Sequence, residues 1–159
     1  MIIFINGSIN SGKSTLAKLL ANKIGNCAVL EIDNLREFIE WMPIEKAIPI
    51  NLENAISLIE NFDKNNLNVV IPYPLSEKNY EYIKNNLKEK TKVYFFTLNL
   101  DLDKVVKDRG NRKLDDWERE RIKHHYEIGI NKPSFGKIIN TTHQTPEETL
   151  EIILGDLIF

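Results

Sequence analysis

The sequence predicts an α/β protein of three layers, in which helices cover both faces of a parallel sheet of five strands. Short β-branched and aromatic runs, typical of strands buried on both faces, alternate with longer stretches whose apolar residues lie three or four positions apart. Strands that alternate with helices are joined by right-handed crossovers and therefore run parallel. The predicted strands are Met1 to Ile5, Ala28 to Ile32, Asn68 to Ile71, Lys92 to Leu98 and Lys137 to Ile139.

Helix periodicity and helix punctuation agree with this alternation. Gly25 stands where the first helix should end, and Thr145-Pro146-Glu147-Glu148 supplies the N-cap, first-turn proline and capping-box glutamate of a last helix. Asp101 is predicted to cap a helix that reaches about Asp108. The apolar stripes are Leu16, Leu19, Leu20 and Ile24; Leu52, Ile56, Ile59 and Phe62; and Tyr80, Ile83 and Leu87.

The composition is that of an ordinary globular domain. Of 159 residues, 42% are apolar and 28% charged, which excludes a disordered chain, and no apolar run approaches the roughly 20 residues that span a bilayer. With 21 basic and 23 acidic residues, a general affinity for nucleic acid is not implied. The single cysteine, Cys27, suits a reducing compartment. We expect one cytoplasmic domain spanning residues 1–159, without membrane contact.

The strongest motif is a phosphate-binding loop between the first predicted strand and the first predicted helix. The run Gly7-Ser8-Ile9-Asn10-Ser11-Gly12-Lys13-Ser14-Thr15 matches G-x-x-x-x-G-K-[ST] and has the flanking strand and helix that the motif requires. Such a loop curls its backbone N–H groups around a phosphate chain at the positive end of the helix. Lys13 would add a charge between the outer phosphates, and Ser14 would ligate Mg²⁺.

These flanks argue against a chance match in a glycine-containing turn, so we expect a nucleoside triphosphate to bind. The Asn-Lys-x-Asp motif of GTPases is absent, since Asn131-Lys132 is followed by Pro133-Ser134, which favours ATP. The expected cofactors are ATP and Mg²⁺. The expected nucleotide contacts are Gly7, Ser8, Asn10, Ser11, Gly12, Lys13, Ser14 and Thr15.

Charged residues at the end of the second predicted strand are candidates for the acceptor side. Alternation puts Glu31 and Asp33 on one face at the carboxyl end of that strand, the sheet edge where ligands bind. Asp33 is a candidate base for an acceptor hydroxyl and Glu31 a candidate support for Mg²⁺, although each suits the other role. Alternatively, Asp33 only caps the next helix. Arg36 would clamp an anionic group of the acceptor or lie on a solvated helix surface.

The third predicted strand is followed by Tyr73 and Pro74, and no aspartate stands where motor-type NTPases use one to hold Mg²⁺. This argues against a machine driven by hydrolysis. Tyr73 and its neighbouring prolines would form a rigid rim that contacts the acceptor. Trp41 and Met42 are further pocket candidates, but core packing is the commoner environment of large apolar side chains.

A basic segment late in the chain, Arg109-Gly110-Asn111-Arg112-Lys113, is a candidate lid. Phosphoryl transfer spreads negative charge over the equatorial oxygens, and Arg109 and Arg112 would stabilise it when a lid of about residues 109–120 closes. The alternative is a solvated loop with incidental charges. Beyond it, residues 116–126 alternate charges at helical spacing and are predicted to be mostly an exposed, ion-paired face. His124 and His125 are adjacent and lack partners at ligand spacing, so we expect no metal site there.

The phosphate loop followed by Glu31-Ile32-Asp33-Asn34-Leu35-Arg36 resembles the small P-loop kinases, which include shikimate, gluconate and adenylylsulfate kinases. The sequence is more similar still to chloramphenicol phosphotransferase-like proteins, through Met42-Pro43, Arg109-Gly110-Asn111-Arg112 and Thr141-Thr142-His143. The resemblance implies a P-loop NTPase fold, which we expect in strand order 2-3-1-4-5. It implies Asp33 as the base, Arg109 and Arg112 closing over the nucleotide, and a loop at Thr141 near the nucleotide base.

Two departures from that pattern indicate a reshaped acceptor pocket. Met42-Pro43 comes later after Asp33 than in the family, and Arg36 stands where an apolar residue is expected, so chloramphenicol itself is not the expected acceptor. We expect ATP-dependent transfer of the γ-phosphate to a hydroxyl of a small-molecule acceptor. The alternatives are a nucleotide or polynucleotide 5′-hydroxyl kinase, which the near-neutral charge disfavours, and a non-enzymatic nucleotide-binding regulator, in which Asp33 would be dispensable.

Overall fold

Five parallel strands form the centre of the computed structural model, which describes residues 1–88 and 92–158. The strands are β1 Ile2–Asn6, β2 Cys27–Val29, β3 Asn68–Pro72, β4 Val93–Asn99 and β5 Lys137–Asn140. They pair in the order β2-β3-β1-β4-β5, and all four pairings are parallel. The predicted fold class and strand order are confirmed.

Helices fill the connections between these strands. They are α1 Lys13–Ile24, a 3₁₀ helix Ile32–Ile39, α2 Ile44–Lys64, α3 Glu77–Asn86, α4 Leu102–Val105, α5 Asp116–Glu127 and α6 Pro146–Asp156. Gly25 ends α1, and Thr145 with Glu148 forms the predicted capping box of α6. None of the described helices is long and apolar enough to cross a membrane.

Most of the core lies in two layers, one on each face of the sheet, because successive strand residues point to opposite faces. A smaller apolar cluster is formed by Leu100, Val105, Leu114 and Ile122. Ile2 and Phe4 of β1 pack with residues of α2 and α3 such as Ile59 and Ile83. On the other face, Ile3 and Ile5 pack with the apolar stripe of α1 and with α6. Each face of β1 is thus covered, which explains why the first five residues read as a continuous apolar run.

The second strand is shorter than predicted, and this changes the position of the two acidic residues after it. β2 ends at Val29, and the 3₁₀ helix begins at Ile32, so Glu31 and Asp33 do not share a strand face. The reason is that the chain turns there into the 3₁₀ helix, in which the Asn34 N–H donates to the Glu31 carbonyl oxygen at 3.1 Å. Asp33 instead stands in the first turn of the 3₁₀ helix, at the carboxyl edge of the sheet.

The helix after β4 is also shorter than predicted. α4 ends at Val105 rather than near Asp108, and the side chain of Asp101 makes no capping hydrogen bond. The carbonyls at and after its end are hydrogen-bonded by side chains from other segments. The Asn10 amide donates to the carbonyl oxygens of Val105 and Lys107, at 2.8 and 3.0 Å. The phosphate loop is thus hydrogen-bonded to the end of α4 and to the segment that follows it.

Candidate active site

The phosphate-binding loop connects β1 to α1 and is packed closely against β4. Gly7 has a φ of +145°, and a Cβ there would lie 2.6 Å from Ser11 Oγ and 2.9 Å from the Leu98 carbonyl oxygen, so only glycine fits. Lys13 begins α1, and its Nζ donates to the Ser8 carbonyl oxygen at 2.6 Å. The first N–H groups of α1 have no acceptor within the helix and are therefore available to an anion.

A cavity of about 440 Å³ opens over this loop. It is bounded on one side by the loop and the start of α1, and on the other by Leu100, Thr141 and Gln144 near the ends of β4 and β5. The predicted contacts that line it are Asn10, Ser11, Gly12, Lys13, Ser14 and Thr15. Gly7 and Ser8, also predicted as contacts, are buried and do not line the cavity.

A second cavity, of about 760 Å³, lies beside the first, and we call it the acceptor cleft. It is enclosed by the 3₁₀ helix, the first turns of α2, the segment after β3, and α5. Asp33, Arg36 and Tyr73, the residues predicted for the acceptor side, all line it. Arg112 lines both cavities, so the two meet at this side chain.

Opposite charges lie close together where the cavities meet. Burial lowers the pKa of Lys13 to about 8, against the opposing negative charges of Asp33 and, more weakly, Glu31. Desolvation raises the pKa of Asp33 above its usual value, and the positive charge of Lys13 partly counters this. A carboxylate with a raised pKa is the stronger proton acceptor. Burial and the charge of Asp33 also raise the pKa of the Tyr73 hydroxyl, which therefore stays protonated.

The predicted lid begins as a tight turn that rests on the phosphate loop. Arg109 and Arg112 exchange backbone hydrogen bonds around Gly110, which has a φ of +57°. The Arg109 guanidinium donates to the carbonyl oxygen of Asn10 at 2.9 Å, while that of Arg112 pairs with Glu118 at 2.7 Å. The two arginines thus approach the same site from one turn.

His125 is a site residue that the sequence analysis missed. It is buried on α5, lines the acceptor cleft, and places Nδ1 3.2 Å from Ser8 Oγ. Burial lowers its pKa to about 3, with positive charges on Arg121 and Lys13 adding to the effect, so the ring is neutral at physiological pH. The signal that points to it is helical spacing, since His125 lies three positions after Ile122 and shares its buried face of α5.

Four buried side-chain polar atoms in the described ranges have no hydrogen-bond partner, and all four belong to residues that line the two cavities. Ser11 Oγ and Thr141 Oγ1 belong to the first cavity, and Arg36 Nε and Asn51 Oδ1 to the second. Buried polar groups in folded proteins are nearly always paired, so unpaired ones concentrated at cavities indicate where ligands bind. This distribution makes both cavities candidate binding sites.

Other predicted candidates lie away from the two cavities. Glu31 lines neither of them. Trp41 is 80% exposed, so the core packing expected for it is wrong, and it does not line the acceptor cleft either. Thr142 and His143 are engaged with α4: the Thr142 hydroxyl accepts from the Asp101 N–H at 3.1 Å, and His143 Nδ1 lies 3.4 Å from Lys104 Nζ. Of that loop, Thr141 and Gln144 reach the first cavity.

The oxygen donors near the loop fit a metal ion that is coordinated mainly by the phosphates of a nucleotide. Across residues 1–88 and 92–158, no three His, Cys, Asp or Glu side chains gather as a metal-binding group. The exposed Ser14 hydroxyl lines the first cavity, and Asp33 and Glu31 lie near Lys13. Mg²⁺ is usually held by one or two protein oxygens together with substrate phosphates, and this donor set suits it.

The chain is 33% identical over 167 aligned positions to a protein of Sulfurisphaera tokodaii described as "Putative adenylate kinase". The alignment covers 98% of this chain and 82% of that relative. The chain belongs to this family of small P-loop kinases. It is an ATP-dependent phosphotransferase in the general sense of that group. No family model matches the chain.

Solved structures share the fold at lower sequence identity. A sugar kinase from a Janibacter species has a TM-score of 0.74 at 16% identity, covering 97% of this chain and 92% of its own. A gluconokinase from Sinorhizobium meliloti has a TM-score of 0.70 at 15% identity, covering 96% and 89%. The tunicamycin resistance protein of Deinococcus radiodurans has a TM-score of 0.69 at 18% identity, covering 97% and 93%. The resemblance to small P-loop kinases predicted from the sequence is confirmed.

Proposed function

We propose that this kinase transfers the γ-phosphate of ATP to a hydroxyl group of a small molecule. The observation that carries the proposal is the junction of the two cavities. Asp33 of the acceptor cleft interacts electrostatically with Lys13 of the phosphate loop, and Arg112 lines both cavities. A nucleotide in the first cavity and an acceptor in the second would therefore meet beside a carboxylate and two cations.

The residues at the junction divide the chemistry between them. Lys13 and the N–H groups at the start of α1 hold the triphosphate, and the acceptor hydroxyl lies against Asp33. As the new O–P bond forms and the bond between the γ-phosphorus and the bridging oxygen breaks, Asp33 takes the hydroxyl proton and ADP leaves. Arg109 and Arg112 stabilise the charge on the transferring group. Positioning supplies much of the remaining acceleration.

Ser14 is the residue that would hold Mg²⁺, with Glu31 as an outer support. The metal, when bound with ATP, neutralises charge on the phosphate oxygens. Glu31 is a weaker candidate than Asp33 for the base, because it lines neither cavity and its charge has the smaller effect on the pKa of Lys13. We therefore assign the proton to Asp33 and not to Glu31.

A nucleoside monophosphate kinase is the second candidate, supported by the name of the Sulfurisphaera tokodaii relative. Its acceptor would be a phosphate oxygen, which is already ionised and needs no base. A carboxylate beside that anion would repel it. The proximity of Asp33 to Lys13 therefore supports a hydroxyl acceptor more strongly.

The test is acceptor-dependent ADP release with Mg·ATP. The panel contains antibiotics that carry hydroxyl groups, shikimate, gluconate, nucleosides, AMP and 5′-hydroxyl oligonucleotides. Lys13→Ala is the inactive control. A small hydroxylated acceptor that raises ADP release and becomes a phosphate ester supports the proposal. Turnover of AMP alone would establish the second candidate, and turnover of oligonucleotides alone would contradict both.

A further inference from the structure

The lid turn, residues 109–112, is tied at its base to the first turns of α5. Arg119 of that helix donates to the carbonyl oxygens of Val106 and Leu114, at 2.6 and 3.0 Å. It also donates to the Asp108 carboxylate at 3.0 Å, and the same carboxylate oxygen accepts from the Leu114 N–H at 3.0 Å. The chain on both sides of the turn is therefore attached to one residue of α5.

Glu118, the residue before Arg119, makes a second attachment and uses both of its carboxylate oxygens. Oε1 accepts from Nη2 of Arg112 at 2.7 Å, and Oε2 accepts from the backbone N–H of Asp115 at 3.2 Å. The Asp115 carboxylate accepts in turn from the Glu118 N–H at 2.7 Å, which completes the capping box at the start of α5. The Arg112 guanidinium is thus fixed to a capped helix end.

This ion pair acts on the position of Arg112 more than on the stability of the fold. The Arg112 side chain is 52% exposed, and ion pairs with that exposure contribute little to folding. Arg112 lines both cavities, and its positive charge helps to lower the pKa of Lys13. A guanidinium group has five N–H donors, and Glu118 accepts from one nitrogen, so donors on the other nitrogens remain for an anion at the junction.

Resting on the proposed function, we infer that Glu118 is a positioning residue, which holds the Arg112 guanidinium at the junction of the two cavities for the transferring phosphoryl group. Arginine is a long side chain with many rotamers, and fixing it before the reaction removes that ordering cost from the transition state. Glu118 acts through Arg112, since a carboxylate that faced the phosphates directly would repel them. If it served only the capping box, it would leave the transfer step unaffected.

Glu118→Gln separates these two roles, because glutamine also serves in a capping box. It provides one neutral carbonyl oxygen where glutamate has two charged ones, so the charge-assisted hydrogen bond to Arg112 is lost. Glu120→Gln is the matched control, since Glu120 is an exposed residue of the same helix that pairs with Lys123 and lines neither cavity. Arg112→Gln and the double variant Arg112→Gln, Glu118→Gln complete a double-mutant cycle.

Two quantities are measured for each protein. The first is the kcat and the KM for ATP in acceptor-dependent ADP release, with the acceptor found by the panel. The second is the Kd of Mg·ADP with and without aluminium fluoride, an anion that mimics the transferring phosphoryl group and requires no known acceptor. Tm shows whether each variant is folded.

We expect Glu118→Gln to lower kcat and to weaken the ADP–fluoride complex about tenfold each, as for the loss of one charge-assisted hydrogen bond. The KM for ATP and the Kd of Mg·ADP alone should stay within about twofold, the Tm should stay close to that of wild type, and Glu120→Gln should behave as wild type. In the Arg112→Gln background, Glu118→Gln should have no further effect, because it acts through that arginine.

The inference and the proposed function fail in different ways. Binding of the ADP–fluoride complex by Glu118→Gln as tightly as by wild type would overturn the inference, as would a loss that persists undiminished in the Arg112→Gln background. It is also overturned if aluminium fluoride does not strengthen ADP binding to wild type. The expected effects on the ADP–fluoride complex, together with turnover of AMP alone or of no acceptor in the panel, would retain the inference and contradict the proposed function.

Discussion

Nδ1 of His125 lies 3.2 Å from Ser8 Oγ, and the carbonyl oxygen of the same Ser8 accepts a 2.6 Å hydrogen bond from Lys13. His125 belongs to α5, the helix that follows the lid turn, so the lid region is connected through one serine to the lysine that would hold the phosphates. The position of α5 and the shape of the phosphate loop are therefore coupled through one side chain outside the loop motif, that of His125.

Replacing His125 should disturb this connection. His125→Ala removes the partner of Ser8 Oγ, and we expect an increase in the Kd for Mg·ATP of about tenfold, equivalent to one lost buried hydrogen bond. His125→Gln, which keeps a hydrogen-bonding amide, should recover most of the affinity. The measurement is calorimetric titration, with the exposed neighbour His124→Ala as control. Equal affinities for His125→Ala and wild type would show that the contact does not support the loop.

The same histidine predicts how stability depends on pH. Its pKa is about 3 in the folded protein and near 6.5 when unfolded, so below pH 6.5 the unfolded chain binds a proton that the folded chain does not. Stability due to this group is fully present above pH 6.5 and falls by about 1.4 kcal/mol per pH unit as the pH drops toward 3. Denaturant unfolding at pH 6 and pH 5 measures the loss. Between these two pH values, the loss of unfolding free energy should be about 1.4 kcal/mol smaller in His125→Gln than in wild type. Equal losses in the two proteins would refute the prediction.

Arg112 should be needed for transfer more than for binding, because it lines both cavities. We expect Arg112→Gln to lower kcat about 10²–10³-fold, the usual effect of removing one donor to a developing charge, with a much smaller change in the KM for ATP. Lys113→Gln, an exposed neighbour that lines neither cavity, is the control. A loss confined to the KM for ATP would mean that Arg112 binds the nucleotide without stabilising the transferring group.

The pKa of Lys13, about 8, predicts an alkaline limit for the free enzyme. Above that pH the side chain loses its charge, so kcat/KM for ATP should fall from about pH 8 upward. At saturating ATP the phosphates favour the charged lysine, and the fall in kcat should move to higher pH. Lys13→Arg should abolish the alkaline fall in kcat/KM whatever its absolute rate. A wild-type profile that stays flat to pH 10 would contradict the lowered pKa.

Local sequence determines the parts of this protein that could be predicted well. Gly7, Gly12 and Lys13 define the phosphate loop within a few positions. Gly25 defines the end of α1 and Thr145 the start of α6, each through its own capping preference. Strand order could also be predicted, because the phosphate loop and the short motifs along the chain resemble those of small P-loop kinases, which share one fold. These features depend on neighbours in the sequence or on a shared fold.

The acceptor cleft could be predicted only in part, because its walls come from distant segments. Asp33, Arg36 and Tyr73 were placed there from the strand ends, but Asn51 and His125 are brought to it by the packing of α2 and α5. Their sequence surroundings are ordinary helix. The contact of the phosphate loop with the end of α4 likewise joins distant segments, since the Asn10 amide donates to the carbonyl oxygens of Val105 and Lys107.

The most direct test of the account is the rate of phosphoryl transfer in Asp33→Asn compared with Glu31→Gln. With the acceptor found by the screen, Asp33→Asn should lower acceptor-dependent ADP release about 10²–10⁴-fold, the contribution of a general base, and leave the Kd for Mg·ATP within about twofold. Glu31→Gln should have a clearly smaller effect. Transfer at the wild-type rate in Asp33→Asn, with ATP still bound, would contradict the assignment of Asp33 as the base for a hydroxyl acceptor.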